Sequence, residues 1–119
     1  MMVRSALFGA AALALTVTAA EGGTIVIGNG NSSCGSFIEQ RRTYSDAGIA
    51  QWVNGYLTAF NSSAPEDDFN ILAGADPNGL RAWFDQYCGA HPLDTIFAAS
   101  NALINDLLTR RGIPFRSRP

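Results

Sequence analysis

The chain contains no lysine: all eight of its basic residues are arginine. That absence removes Schiff-base chemistry, lysine general bases and lysine phosphate clamps. Histidine occurs once, as His91, and cysteine twice, as Cys34 and Cys88. One imidazole and two thiols are too few ligands for a structural zinc site, and neither cysteine lies in a Cys-x-x-Cys pair. Charge is scarce as well: 15% of the 119 residues are charged, and ten acids against eight arginines give a formal −2. The basic field expected of a nucleic-acid binder is therefore missing. No apolar run reaches the roughly 20 residues needed to cross a bilayer, and the chain is too short for two ordinary domains. These absences leave catalysis without a residue set. The expectation is a small non-catalytic protein with no cofactor and no metal.

What is present begins with an export signal. Met1-Met2-Val3-Arg4 carries one positive charge, the apolar stretch Ser5 to Val17 follows, and then the small residues Thr18-Ala19-Ala20. That order reads as a secretory signal peptide over residues 1–20, cut after Ala19 or Ala20. Loss of Arg4 leaves seven arginines against ten acids, a formal −3. The expected location is the periplasm or the exterior, where an even cysteine count is read as one disulfide. Closing a loop of about 54 residues between Cys34 and Cys88 is worth roughly 4 kcal/mol on the chain-entropy model. That is a large share of the typical 5–15 kcal/mol of a small domain.

Residues 21–33 read as an N-terminal arm, with a β-prone patch from Thr24 to Ile27 ringed by glycine and turn formers. Gly28-Asn29-Gly30 lacks the third glycine and the lysine of a phosphate loop and is assigned to the linker. A helical domain follows over 34–111. Ser32 or Ser33 opens its first helix, which runs to Arg42, and Ser36 with Glu39 has capping-box spacing. Ile49, Trp52, Val53, Tyr56, Leu57 and Phe60 fall at i, i+3, i+4, i+7, i+8 and i+11. This predicts a helix of about sixteen residues opened by Ser45 or Asp46. Residues 61–75, with Pro65 and the acidic run Glu66-Asp67-Asp68, predict a loop holding one helical turn near Phe69 to Leu72. Asp76-Pro77 sets a cap before a first-turn proline. Leu80, Trp83, Phe84, Tyr87 and Cys88 then repeat the helical spacing up to Gly89. Pro92 is expected to open the last helix, with Leu93, Ile96, Phe97, Leu103, Ile104, Leu107 and Leu108 on one side and Gly112 and Pro114 at its end. Residues 112–119, with Arg116 and Arg118, form an expected disordered Arg-rich tail.

Trp52 with Tyr56 and Trp83 with Tyr87 share a four-residue spacing that sets a large aromatic pair one turn apart on each of two helices. Together with Phe37, Phe60, Phe84 and Phe97 they are the candidate core and the candidate client-binding aromatics. His91, placed at the mouth of the last helix, has no Ser or Cys tied to it by spacing. Asp85, Asp94 and Asp106 fall on polar faces and give no acid–base carboxylate pair. Glu66, Asp67, Asp68 and Asp76 lack the alternation of a calcium loop.

Three motifs carry a resemblance: Cys34-Gly35-Ser36-Phe37, Trp52-Val53-Asn54-Gly55-Tyr56-Leu57 and Tyr87-Cys88-Gly89-Ala90-His91-Pro92. With the export signal and the single cysteine pair, they make residues 34–108 similar to the HdeA/HdeB superfamily of small periplasmic proteins. The resemblance implies an all-α fold, a small four-helix orthogonal bundle with a Cys34–Cys88 disulfide and a short extended N-terminal arm. It also implies an acid-stress chaperone, folded and often a homodimer at neutral pH, that exposes apolar surface in acid and binds unfolding proteins. The charge inventory supplies a route. Protonating ten carboxylates takes the exported chain from −3 to about +9, counting seven arginines, His91 and the amino terminus, between about pH 5 and 2. The chain is also similar in outline to periplasmic immunity proteins that neutralise type VI secretion amidases, through Gly55-Tyr56 and His91-Pro92. That second resemblance implies a rigid surface at neutral pH, complementary to one effector enzyme.

Overall fold

The structure, a computed structural model, describes residues 23–43 and 45–113. The expected signal peptide and the tail from residue 114 onward lie outside the described residues. Four helices account for the fold: α1 (Cys34–Arg42), α2 (Ala47–Ser62), α3 (Pro77–Ala90) and α4 (Ile96–Arg110), with a 3-10 turn at Gly28–Asn31 ahead of them. Among the described residues β pairing is limited to one isolated bridge, Ser33 with Thr95. The domain is all-α.

Helices α1, α3 and α4 each start where a side chain accepts from one of their first N–H groups. Ser33 caps α1, its Oγ accepting from the Ser36 amide at 3.0 Å. Ser36 therefore lies inside the first turn and does not open a capping box with Glu39. Asp76 caps α3 by accepting from the Gly79 amide at 3.1 Å, and Pro77 takes the first helical position. Asp46 precedes α2 but makes no capping bond. Its carboxylate faces Arg41 and Arg81 instead.

The last helix departs from the sequence expectation. It begins at Ile96 behind Thr95, whose Oγ1 accepts from the Ala98 amide, and not at Pro92. The reason is a demand from the other end of the domain. The carbonyls of Pro92 and Asp94 accept from the amides of Gly35 and Cys34 at 2.9 and 2.7 Å, while the Ile96 amide donates to the Ser32 carbonyl at 2.9 Å. Residues 92–95 thus form a strap across the start of α1, and a helical conformation there would leave those amides unpaired. Leu93, expected on the apolar side of the last helix, is 93% exposed on this strap. His91 is the C-cap of α3 and not the mouth of α4, and α3 passes through Gly89 to end at Ala90.

At its far end α4 stops in a paired motif. Gly112 takes φ +66°, its amide bonds the Thr109 carbonyl, and the Ile113 amide bonds the Leu108 carbonyl. Those two bonds reclaim orphan carbonyls of the last turn and require a left-handed residue, which glycine supplies freely.

The core gathers Ile49, Val53 and Leu57 from α2, Phe84 from α3, Ile96, Ala99, Leu103, Ile104 and Leu108 from α4, and Phe37 from α1. Ile71, from the long α2–α3 connection, is wholly buried among them. Cys34 and Cys88 form the disulfide, with Cα atoms 4.7 Å apart and no solvent exposure, tying the start of α1 to the end of α3. The N-terminal patch from Thr24 to Ile27 forms no strand, and Ile25 and Ile27 stand in solvent. The turn after it packs beneath Trp52, whose indole N–H donates to the Ile27 carbonyl at 2.8 Å. Gly30 is buried there, and a side chain at that position would collide with the indole ring.

Candidate functional site

The repeated Trp-x-x-x-Tyr spacing becomes two stacked ring pairs. On α2, Trp52 and Tyr56 lie 5.3 Å apart with planes 9° from parallel, and on α3, Trp83 and Tyr87 lie 5.1 Å apart at 8°. Positions i and i+4 share one helix face, so each pair is built by a single helix. The pairs extend into larger clusters. Phe97 meets Tyr56 edge-on at 5.5 Å, Phe84 meets Trp83 at 5.5 Å, and Phe37 meets Phe84 at 5.9 Å. Phe60 packs edge-on against Phe69, and the His91 ring stacks on Tyr87 at 4.3 Å. Of the eight aromatics singled out in the sequence, Phe37 and Phe84 are in the buried core. Trp52, Tyr56, Phe60, Trp83 and Tyr87 are half-buried against it, and Phe97 is half-buried against Tyr56.

A half-buried Trp or Tyr needs a partner for its polar tip. Tyr56 donates its hydroxyl to Asn101 Oδ1 at 2.7 Å, Trp83 donates its indole N–H to Asp106 Oδ2 at 2.9 Å, and Tyr87 donates to Asp94 Oδ2 at 2.7 Å. All three acceptors belong to α4 or to the strap that leads into it. Both ring pairs are thereby fastened to one segment, residues 94–106. Spacing along the chain does not reveal these acceptors, because each lies on a different element from its donor or across the turn between α3 and α4. The available signal is general: a large amphipathic ring implies a polar acceptor somewhere near. Asp94 and Asp106, placed by the sequence on helical polar faces, are those acceptors, and Asp94 precedes α4 instead of lying on its polar face.

The electrostatics follow from these bonds. Arg110 binds Asp106 from the next turn of α4, with Nε at 3.2 Å and an ion-pair contact at 3.1 Å. The Arg110 hydrogen bond holds the Asp106 carboxyl below the usual carboxylate range. The Trp83 N–H and the Arg110 charge act in the same direction, against partial desolvation. Asp94 holds the Tyr87 proton in place: the hydrogen bond, then burial, then the carboxylate charge all raise the phenol above its ordinary value.

Other groups with chemical potential are engaged. His91 Nδ1 lies 2.9 Å from the Tyr87 carbonyl. Arg111 reaches across to the α2–α3 connection and donates to the carbonyls of Asn70, Ile71 and Ala73 at 2.9–3.0 Å. Arg41 joins α1 to α3 through Asp85 at 2.5 Å and to Asp46 at 3.8 Å. Between α1 and α3 lies an open cleft of about 600 Å³ lined by Ile38, Arg41, Arg42, Asn78, Arg81 and Asp85. The arrangement holds large rings against the core through bonds from Trp83 and Tyr87 to carboxylates and from Tyr56 to an amide oxygen. Set beside known proteins, the chain gives no match to a family model, to a curated protein or to a solved structure.

Proposed function

We propose that the chain is an exported, non-catalytic binding protein of the HdeA-like kind, working in the periplasm on other proteins and exposing its aromatic pairs in acid. The observation that carries this reading is the fastening of Tyr87 and Trp83 to the carboxylates of Asp94 and Asp106. A bond to a carboxylate is charge-assisted and roughly twice as strong as one to a neutral acceptor, so protonation weakens it. Acid therefore loosens the Trp83–Tyr87 pair while the chain gains positive charge and repels itself. The Cys34–Cys88 bond keeps α1 and α3 joined throughout, so opening is partial. Light scattering from an acid-labile client, at about pH 3 and at pH 7, tests the proposal. The oxidised protein is expected to suppress client aggregation at the low pH and to do nothing at neutrality. Aggregation unaffected at both values would sink the reading.

One observation favours the second reading, an immunity protein that inhibits a secreted periplasmic amidase. Leu93 is a large apolar side chain held in solvent on a strap whose backbone is pinned to α1, a rigid knob suited to an enzyme cleft. Under that reading inhibition of the amidase is strongest at pH 7, and Leu93→Asp abolishes it without unfolding the domain.

A further inference from the structure

Five arginines lie among the described residues, and three of them, Arg41, Arg42 and Arg81, line the cleft between α1 and α3. Their commitments differ. Arg41 is half-buried and hydrogen-bonded to Asp85, bracing the cleft floor between the two helices. Among the described residues Arg81 meets an acid only at Asp46, 3.5 Å away, an acid it shares with Arg41. Arg42 meets only Glu39, at 3.9 Å on its own helix. Neither the Arg42 nor the Arg81 side chain forms a hydrogen bond with another described residue, and the two are 77% and 60% exposed. By contrast Arg110 is bonded to Asp106, and Arg111 to three carbonyls.

We infer that this cleft is an anion-binding site that takes a carboxylate or phosphate group between Arg42 and Arg81. A guanidinium presents five N–H donors in a planar fork matched to a two-oxygen anion. The Arg42–Glu39 pair is solvated on both sides and worth little, so Arg42 turns to a ligand at small cost to the fold. Arg81 is itself 60% exposed, and the half-buried Asp46 it leaves retains Arg41. Arg41 is neutralised by Asp85 at 2.5 Å and adds a fixed floor rather than a free charge, so the attraction for an anion rests on Arg42 and Arg81. Asp46 keeps Arg41 at 3.8 Å when Arg81 turns away. Asn78, exposed in the first turn of α3, offers an amide donor, and Ile38 offers an apolar wall for the rest of the ligand. A volume of about 600 Å³ lies within the usual range of small-ligand sites. The anion is either a free small molecule or the acidic side chain of another protein, since both present the same group. The inference does not depend on the acid-chaperone reading, because it concerns the folded protein at pH 7.

The test is a titration of the full oxidised chain at pH 7 and low ionic strength, with sodium phosphate in one arm and a capped Glu-Glu dipeptide in the other. Arginine Nε–Hε resonances are the readout. Saturable shifts are expected at Arg42 and Arg81 and not at Arg111, with a dissociation constant on the order of millimolar. Arg81→Gln and Arg42→Gln, both at exposed positions, should each weaken binding about tenfold and leave the circular dichroism unchanged. Arg110→Gln should leave binding as it was. Tighter binding of phosphate points to a free anion, and tighter binding of the dipeptide points to a partner's side chain. Shifts that match sodium chloride at equal ionic strength, or an Arg110→Gln loss equal to that of Arg81→Gln, would overturn the assignment.

Discussion

Asp106 receives two donors at one oxygen: the Trp83 indole from α3 and the Arg110 guanidinium from its own helix. Its folded pKa lies below the unfolded one, so the unfolded chain binds more protons in the window between them. The stability it contributes is fully present above the ordinary carboxylate value near 4 and disappears as pH falls through the lower folded value. Asp106→Asn keeps an acceptor for Trp83 but loses the charge. It should lower stability at pH 7 by about 1 kcal/mol. Urea unfolding at a series of pH values should show the gap to the parent protein closing as pH falls from 5 towards 3, while a gap that stays constant would refute this role. Tyr87 behaves with the opposite sign. Its raised pKa favours the neutral phenol, so its contribution is complete below pH 10 and is lost as pH rises through the folded value.

Among the elements, the α2–α3 connection depends most on a distant partner. Ile71 is wholly buried, the Asn61 side chain accepts its amide, and Arg111 binds the Ile71 carbonyl together with those of Asn70 and Ala73. Arg111→Ala removes all three donors at once and should cost about 1–3 kcal/mol. Arg111→Lys should restore only part of this, because a single ammonium lacks the planar fork that spans several carbonyls. Thermal melting, with limited proteolysis between residues 63 and 76, checks this. A variant with unchanged melting and unchanged cleavage would show the clamp to be incidental. Legibility in the sequence follows the same division between local and distant causes. Helices α2 and α3 are readable because their apolar spacing is local, and Asp76-Pro77 marks a start through neighbouring atoms alone. The start of α4 is not, because Pro92 and Asp94 are recruited by amides some 60 residues earlier, and no local pattern encodes that demand. For the candidate site, the rings were legible from their four-residue repeat. Their acceptors Asn101 and Asp106 were not, because a hydrogen bond between helices leaves no periodic trace. Arg111 sits where any cation suits a helix end, and its service to the connection emerges only when the chain is folded.

For the whole molecule, one covalent bond and a modest reserve of charge set the behaviour. The Cys34–Cys88 disulfide closes most of the helical domain into a loop and joins elements whose remaining ties include the Arg41–Asp85 pair. Cys34→Ser should cost roughly 4 kcal/mol in denaturant unfolding, and melting unchanged from the oxidised protein would contradict that. With the bond intact, acid acts on a domain that can loosen but cannot separate α1 from α3. On the proposed reading the Trp83–Tyr87 pair, whose acceptors are carboxylates, is then released from Asp94 and Asp106 on a frame that remains closed, while Tyr56 keeps the amide acceptor of Asn101. The most direct test of this account is the binding of an apolar fluorescent dye to the oxidised protein as pH is lowered from 7 to 2. The account predicts no binding at neutrality and a reversible rise between about pH 4 and pH 2, where carboxylates protonate. A protein that reaches pH 2 without binding dye would contradict it.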